Sequence, residues 1–239
     1  MKHINYTFLI LLVFFGGCSG AAKIPNSLST SEKKAGWQLL FDGKSMQGWH
    51  TYGTTGTRGW AVQNGEMVAL GQAGHEGTAN DIVTEQEFEN FELVLDWKIS
   101  KGGNSGIFFN VVEDKRYKAV YETGPEYQLI DDVGFPAKLE DWQTSAANYA
   151  MHPPAVKAFK PVGEWNHTRI VVNRGEVTHW LNGQRTVQYQ MWSPEWERLV
   201  KEGKWKDFSG YGRAKKGKIA LQDHGNQIWF KNIKIKALL

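Results

Sequence analysis

Nine consecutive residues, Phe91 to Ile99, limit the fold more than any other stretch of this chain. Phe91, Leu93, Leu95, Trp97 and Ile99 alternate with Glu92, Val94, Asp96 and Lys98, giving one apolar face and one mostly polar face. That period of two belongs to a half-buried strand and cannot lie on one side of a helix. Ile107 to Val112 is a short apolar run, as expected of a buried strand. Thr168–Asn173, Glu176–Leu181 and Arg185–Gln190 predict a meander, with Asn182-Gly183 as a hairpin turn. Gly217 to Leu221 alternates again, Gly225-Asn226 can turn the chain, and Gln227 to Ile235 reads as a returning strand. Only Ser193 to Lys201 predicts a helix, with Ser193 as N-cap, Pro194 in the first helical position, and Trp192, Trp196, Leu199 and Val200 on one side. Many short strands with one short inserted helix predict an all-β sandwich, and 239 residues fit one such domain.

The net charge of +3 is small and spread out, which argues against a nucleic-acid partner. The densest basic run, Arg213, Lys215, Lys216 and Lys218, reads as a solvated loop. At the amino end Lys2 and His3 precede an apolar stretch from Phe8 to Phe15 and then Gly16-Gly17-Cys18-Ser19. A positive start, a short apolar core and small residues describe a secretory signal too short to span a bilayer. Cys18 is the single cysteine, so it has no disulfide partner within the chain, and its setting resembles a bacterial lipobox. The expected organisation is a lipoprotein signal peptide over 1–17, a flexible tether over 18–35 and a folded domain over 36–239. Lipidation at Cys18 would anchor that domain in the bacterial cell envelope, facing the periplasm or on the outer membrane.

Several polar residues stand where chemistry is plausible. Gln222 and His224 are expected on one face of a strand end, opposite Ile219 and Leu221. Glu126 and Gln128 share a strand face, which Asp131 joins only through a bulge. Asn104-Ser105-Gly106 can turn into the strand that carries Asn110. Trp142 is a candidate stacking platform, and Tyr149 and His152 lie in a proline-stiffened loop, where His152 is expected to be exposed. Trp37, Trp97 and Trp229 are assigned to packing. His75, Glu76 and Asp81, and Asp131 with Asp132, are close in sequence but lack the ligand spacing of a zinc or EF-hand motif, so no metal site is assigned.

The segments Trp37-Gln-Leu-Leu-Phe-Asp-Gly-Lys-Ser-Met-Gln-Gly-Trp49, Asn104-Ser-Gly-Ile-Phe-Phe-Asn110, Glu126-Tyr-Gln-Leu-Ile-Asp131, Gly163-Glu-Trp-Asn166, Leu181-Asn-Gly183 and Gly217 to Ile233 occur in order. Together they resemble the 3-keto-disaccharide hydrolase family over roughly Gly36 to Leu239. The resemblance implies a concanavalin A-like jelly roll and an enzyme that cleaves 3-keto-glycosides. A ketone at C3 acidifies the C2 proton, and the glycosidic oxygen on C1 can then leave by elimination. Water adds back, and the net reaction is hydrolysis. Such an enzyme needs a base, which His224 or Glu126 can supply, and a stabiliser for the enolate: Gln222, Asn104 or a bound divalent cation. The substrate is a carbohydrate already oxidised by a separate sugar 3-oxidoreductase, because no Gly-x-Gly-x-x-Gly loop is present here. Glu126-x-Gln128-x-x-Asp131 also resembles the Glu-x-Asp-x-x-Glu strand of jelly-roll β-glucanases, which need two carboxylates about 5–5.5 Å apart. It departs from that pattern at two of three positions. A non-catalytic carbohydrate-binding module on the same fold is the alternative from another class.

Overall fold

The computed structural model describes residues 24–71 and 80–239. Among the described residues thirteen strands form two sheets: β1 (Trp37–Leu39), β2 (Trp49–Thr51), β3 (Trp60–Gln63), β4 (Glu66–Leu70), β5 (Ile82–Phe88), β6 (Phe91–Ile99), β7 (Asn104–Val111), β8 (Glu126–Ile130), β9 (Asn166–Asn173), β10 (Glu176–Leu181), β11 (Gln184–Gln190), β12 (Gly217–Leu221) and β13 (Gln227–Ala237). The larger sheet runs β11-β10-β9-β6-β13-β4-β3, with β1 also pairing along β13. The smaller runs β2-β5-β12-β7-β8. Every pairing is antiparallel, and the two sheets enclose one continuous apolar core, the β-sandwich of the sequence reading.

The period-two stretch is β6, buried at every odd position from Phe91 to Ile99. Asn182 and Gly183 both have positive φ (50° and 83°), as a two-residue hairpin turn between right-twisted strands requires. A polar relay joins the sheets through the core. The Trp97 indole donates to Thr168 Oγ1 at 2.9 Å, Thr168 donates to the Tyr127 hydroxyl at 3.0 Å, and Tyr127 donates to the Trp180 carbonyl at 3.0 Å. A buried hydroxyl costs free energy unless it is bonded. The relay therefore fixes β8, and with it the direction in which Glu126 points.

The helix expected at Ser193 is α2 (Pro194–Glu202); Ser193 Oγ caps the Trp196 amide at 3.2 Å. A second helix, α1 (Thr30–Lys34), lies within the stretch expected to be a tether. Asn26 and Asn232 exchange two backbone-to-side-chain hydrogen bonds of 2.7 Å, and Glu32 pairs with the buried Lys234 at 2.9 Å. These partners are about 200 residues away, so local composition does not reveal them. The proposed signal peptide and Cys18 lie outside the described residues. Trp97 is in the core, but Trp37 and Trp229 are half-buried on the outer side of the larger sheet, with the Lys236 and Lys98 ammonium groups over their rings.

Candidate active site

Directly opposed residues of an antiparallel pair share a face. In β7 and β8, Ile107 lies opposite Tyr127 and Ser105 opposite Leu129, all turned inward. Phe108 opposite Glu126, Gly106 opposite Gln128 and Asn104 opposite Ile130 therefore form the outer face of the smaller sheet. Ala220, paired with both Phe108 and Val83, continues it across β12 and β5, where these residues make a second small apolar cluster with Val111 and Val120. Glu126 and Gln128 are thus neighbours on one surface.

Glu126 is buried, and burial pushes its carboxyl up from 4.5 to about 8, against the pull of the Lys204 charge. It is a neutral acid at neutral pH. Gly106 makes room for it: a Cβ there would collide with Glu126 Oε1 and stand 2.9 Å from Phe108 Cε2. The glycine is needed for space, since its φ lies outside the left-handed region. Gly106→Ala is expected to push Glu126 from its seat, lowering kcat at least about tenfold and stability by about 1–3 kcal/mol. Kinetics and urea unfolding on the same preparation check both.

β12 ends at Leu221, one residue short of the expected polar pair. The Gln222 amide donates to the Gly106 carbonyl at 3.0 Å and keeps the register. His224 is not on the strand face. It is half-buried in the loop after β12, which the Asn226 side chain ties to the Asn104 amide at 3.3 Å. Between them Asp223, missed by sequence reasoning, is fully buried; it accepts from Gly225 N at 3.1 Å and from Asn80 Nδ2 at 3.3 Å. The Asp223 amide donates to Asp81 Oδ1 at 3.0 Å. Burial, then the charges of Asp223 and Glu126, hold Asp81 well above the usual carboxylate range, although the Asp223 hydrogen bond opposes this. Asp81 thus feels the charges of both Asp223 and Glu126.

The open edge of β8 is closed by residues 146–149. Ala146 N donates to Gln128 O at 2.8 Å, Gln128 N to Ala147 O at 3.1 Å, and Tyr149 N to Glu126 O at 3.1 Å. This pairing seats the Tyr149 ring beside the Glu126 backbone and brings Trp142 against it edge-on, with centroids 5.6 Å apart. Trp142 is about one-third exposed, as a sugar platform requires. His152 is not exposed as expected: it is half-buried, stacks on Tyr189 at 4.7 Å and lies 2.9 Å from Asn148 Nδ2, and burial lowers its pKa.

Two candidates belong elsewhere in the geometry. The Asp131 carboxylate accepts from the amides of Gly102 (2.8 Å), Val133 (3.2 Å) and Gly134 (2.8 Å), the work of a loop cap. Asn110, with φ 55°, is tied to the Ala214 carbonyl at 3.1 Å, at the far end of β7 from Gln222. Among the described residues the buried side-chain oxygens of Gln128 and Asn104 have no partner, nor does the Tyr211 hydroxyl, which lies close enough to feel the Glu126 charge. Among the described residues no group of three or more His, Cys, Asp or Glu side chains is arranged to hold a metal ion. His75 and Glu76 lie outside them. A concavity of about 860 Å³ at the other end of the sheet is lined by His50, Tyr52, Thr54 and Tyr117. Both of its carboxylates are already engaged, Glu113 by His50, Gly53 N and Lys218, and Asp114 by Arg116.

The chain resembles known proteins over most of its length. A curated relative from Bacteroides thetaiotaomicron, a 3-keto-disaccharide hydrolase, is 34% identical over 238 residues, covering 89% of this chain and 82% of the relative. A crystal structure of a candidate glycosyl hydrolase from Parabacteroides distasonis superposes with a TM-score of 0.85 at 42% identity, covering 90% of this chain and 100% of that one. A second from the same organism gives 0.66 at 28% identity, covering 84% and 99%. Residues 36–236 match the family described as the 3-keto-alpha-glucoside-1,2-lyase-like domain, and the chain belongs to that family.

Proposed function

We propose that the protein cleaves the glycosidic bond of 3-keto-glycosides by elimination across C1 and C2 followed by hydration. His224 takes the C2 proton, and the electron pair left on C2 delocalises into the C3 carbonyl as an enolate. When the enolate collapses, the C1–O bond breaks and Glu126 gives its proton to the departing oxygen. Water then adds at C1, losing a proton to the Glu126 carboxylate, while His224 returns a proton to C2. Both groups end as they began. The unpartnered amide oxygens of Gln128 and Asn104 accept from sugar hydroxyls, Gln222 frames the same face, and Trp142 covers the ring.

One observation carries this reading: Glu126 is a buried neutral acid on a face where the second acid of its strand is already spent. A retaining glucanase needs two carboxylates acting on one bond, whereas Asp131 Oδ1 and Oδ2 are taken by three backbone amides. A neutral general acid on the sheet and a second, basic side chain in the loop after β12 suit proton removal from one atom and delivery to another. The 3-keto substrate must come from an enzyme that oxidises a sugar's C3 hydroxyl. Lipidation at Cys18 would hold the domain in the cell envelope.

His224→Ala is expected to lower kcat on a 3-keto-glucoside about 10²–10⁴-fold, with KM changed far less, because a lost base acts on the chemical step. Loss of affinity with unchanged turnover would instead assign His224 to sugar binding.

A further inference from the structure

The proposed reaction puts a negative charge on the sugar's C3 oxygen, yet Glu126, Asp81 and Asp223 around the site are all acids. Resting on that reading, we infer that Lys204 is the cation that stabilises the enolate.

Lys204 opens the 3-10 turn Lys204–Asp207 directly after α2, and its position is set by its neighbour. Trp205 is buried and stacks on Tyr211 at 4.2 Å with an interplanar angle of 7°, which pins the turn. From there the Lys204 Nζ lies 4.3 Å from the Tyr149 ring centroid and 5.1 Å from that of Trp205. A cation on ring faces keeps its charge while losing part of its hydration. Tyr149 is the residue whose amide bonds the Glu126 carbonyl, so the ammonium sits on the segment that pairs with Glu126. Its field reaches Glu126, the one charged group that acts on that carboxyl against burial.

Lys218 is paired with Glu113 at 3.1 Å at the other end of the sheet, and Arg58 stands by Asp223, its Nε donating to Asn80 Oδ1 at 3.0 Å. Among the described residues Lys204 enters no ion pair, so its charge is available to an anion formed beside Glu126. The Tyr211 hydroxyl, unpartnered among the described residues, is a neutral donor close enough to feel the Glu126 charge.

The test compares wild type, Lys204→Met and Lys204→Arg on aryl 3-keto-glucosides with leaving groups of graded acidity. Deuterium uptake at C2 from heavy water and aglycone release are followed together. Removing the charge is expected to slow both about 10²-fold, by nearly the same factor for every leaving group, as for loss of an oxyanion donor. Arginine restores most of the rate, and Tm stays within about 2 °C because the side chain is exposed. Undiminished C2 exchange in Lys204→Met overturns the inference. So does a loss confined to poor leaving groups, which would place the ammonium at the departing oxygen. A wild type that releases nothing from keto-substrates removes the reading of the site and this inference together.

Discussion

Glu126→Gln is expected to lower turnover about 10²–10⁴-fold and, on the alkaline side, to stabilise the fold. Both effects come from one cause. Glutamine keeps the shape but has no proton to give, so the leaving oxygen departs unassisted. Wild-type activity should also fall as pH rises through about 8, where Glu126 ionises. Between the ordinary carboxylate value of 4.5 and about 8, the unfolded chain binds fewer protons than the folded one, so stability declines with pH across that window. At 1.36 kcal/mol per pKa unit the burden is on the order of a few kcal/mol at pH 8.5 and under about 1 kcal/mol at pH 5. A glutamine is neutral in both states and escapes it. Urea unfolding of the two proteins at pH 5 and pH 8.5 should show the gap opening with pH. A variant with near wild-type turnover, or one less stable at pH 8.5, would contradict the assignment.

The second large effect separates structure from chemistry on the same strand. Asp131→Ala strips the acceptor from the Gly102, Val133 and Gly134 amides at once and is expected to cost about 3–5 kcal/mol, or about 10 °C in Tm. Asp131→Asn is also destabilising, because one oxygen becomes an NH2 that faces a backbone donor. Turnover of the folded fraction at low temperature should stay within a few-fold of wild type. Had Asp131 been the second carboxylate of a glucanase, the pattern would reverse: stability spared and kcat reduced by orders of magnitude. Denaturant midpoints with active-site-titrated kinetics decide between the two.

The strands were legible because each writes its own burial pattern. β6 alternates through nine residues, and the Asn182-Gly183 turn demands a backbone that few residues adopt. The spacing of Glu126 and Gln128 predicted a shared strand face, and the two do lie on one outer face. What could not be read was set by long-range contact. Nothing local distinguishes Asp131 as a cap from Asp131 as a nucleophile, since its three donors come from two loops. Asp223 lies between two residues that drew attention, but its burial depends on Asn80 and Asp81, over 140 positions away. Lys204 looks like one more solvated lysine until Trp205 is seen packed on Tyr211. α1 has only five residues and holds through Lys234, far along the chain.

The central claim, that a ketone at C3 is what makes the bond labile in this site, is tested most directly by pairing a 3-keto-glucoside with its unoxidised parent in heavy water. Aglycone release from the keto-glucoside alone, with deuterium at C2 of the product, is the result the account predicts. Release from the parent glucoside, or release from the keto-glucoside with C2 still carrying its original hydrogen, would contradict it.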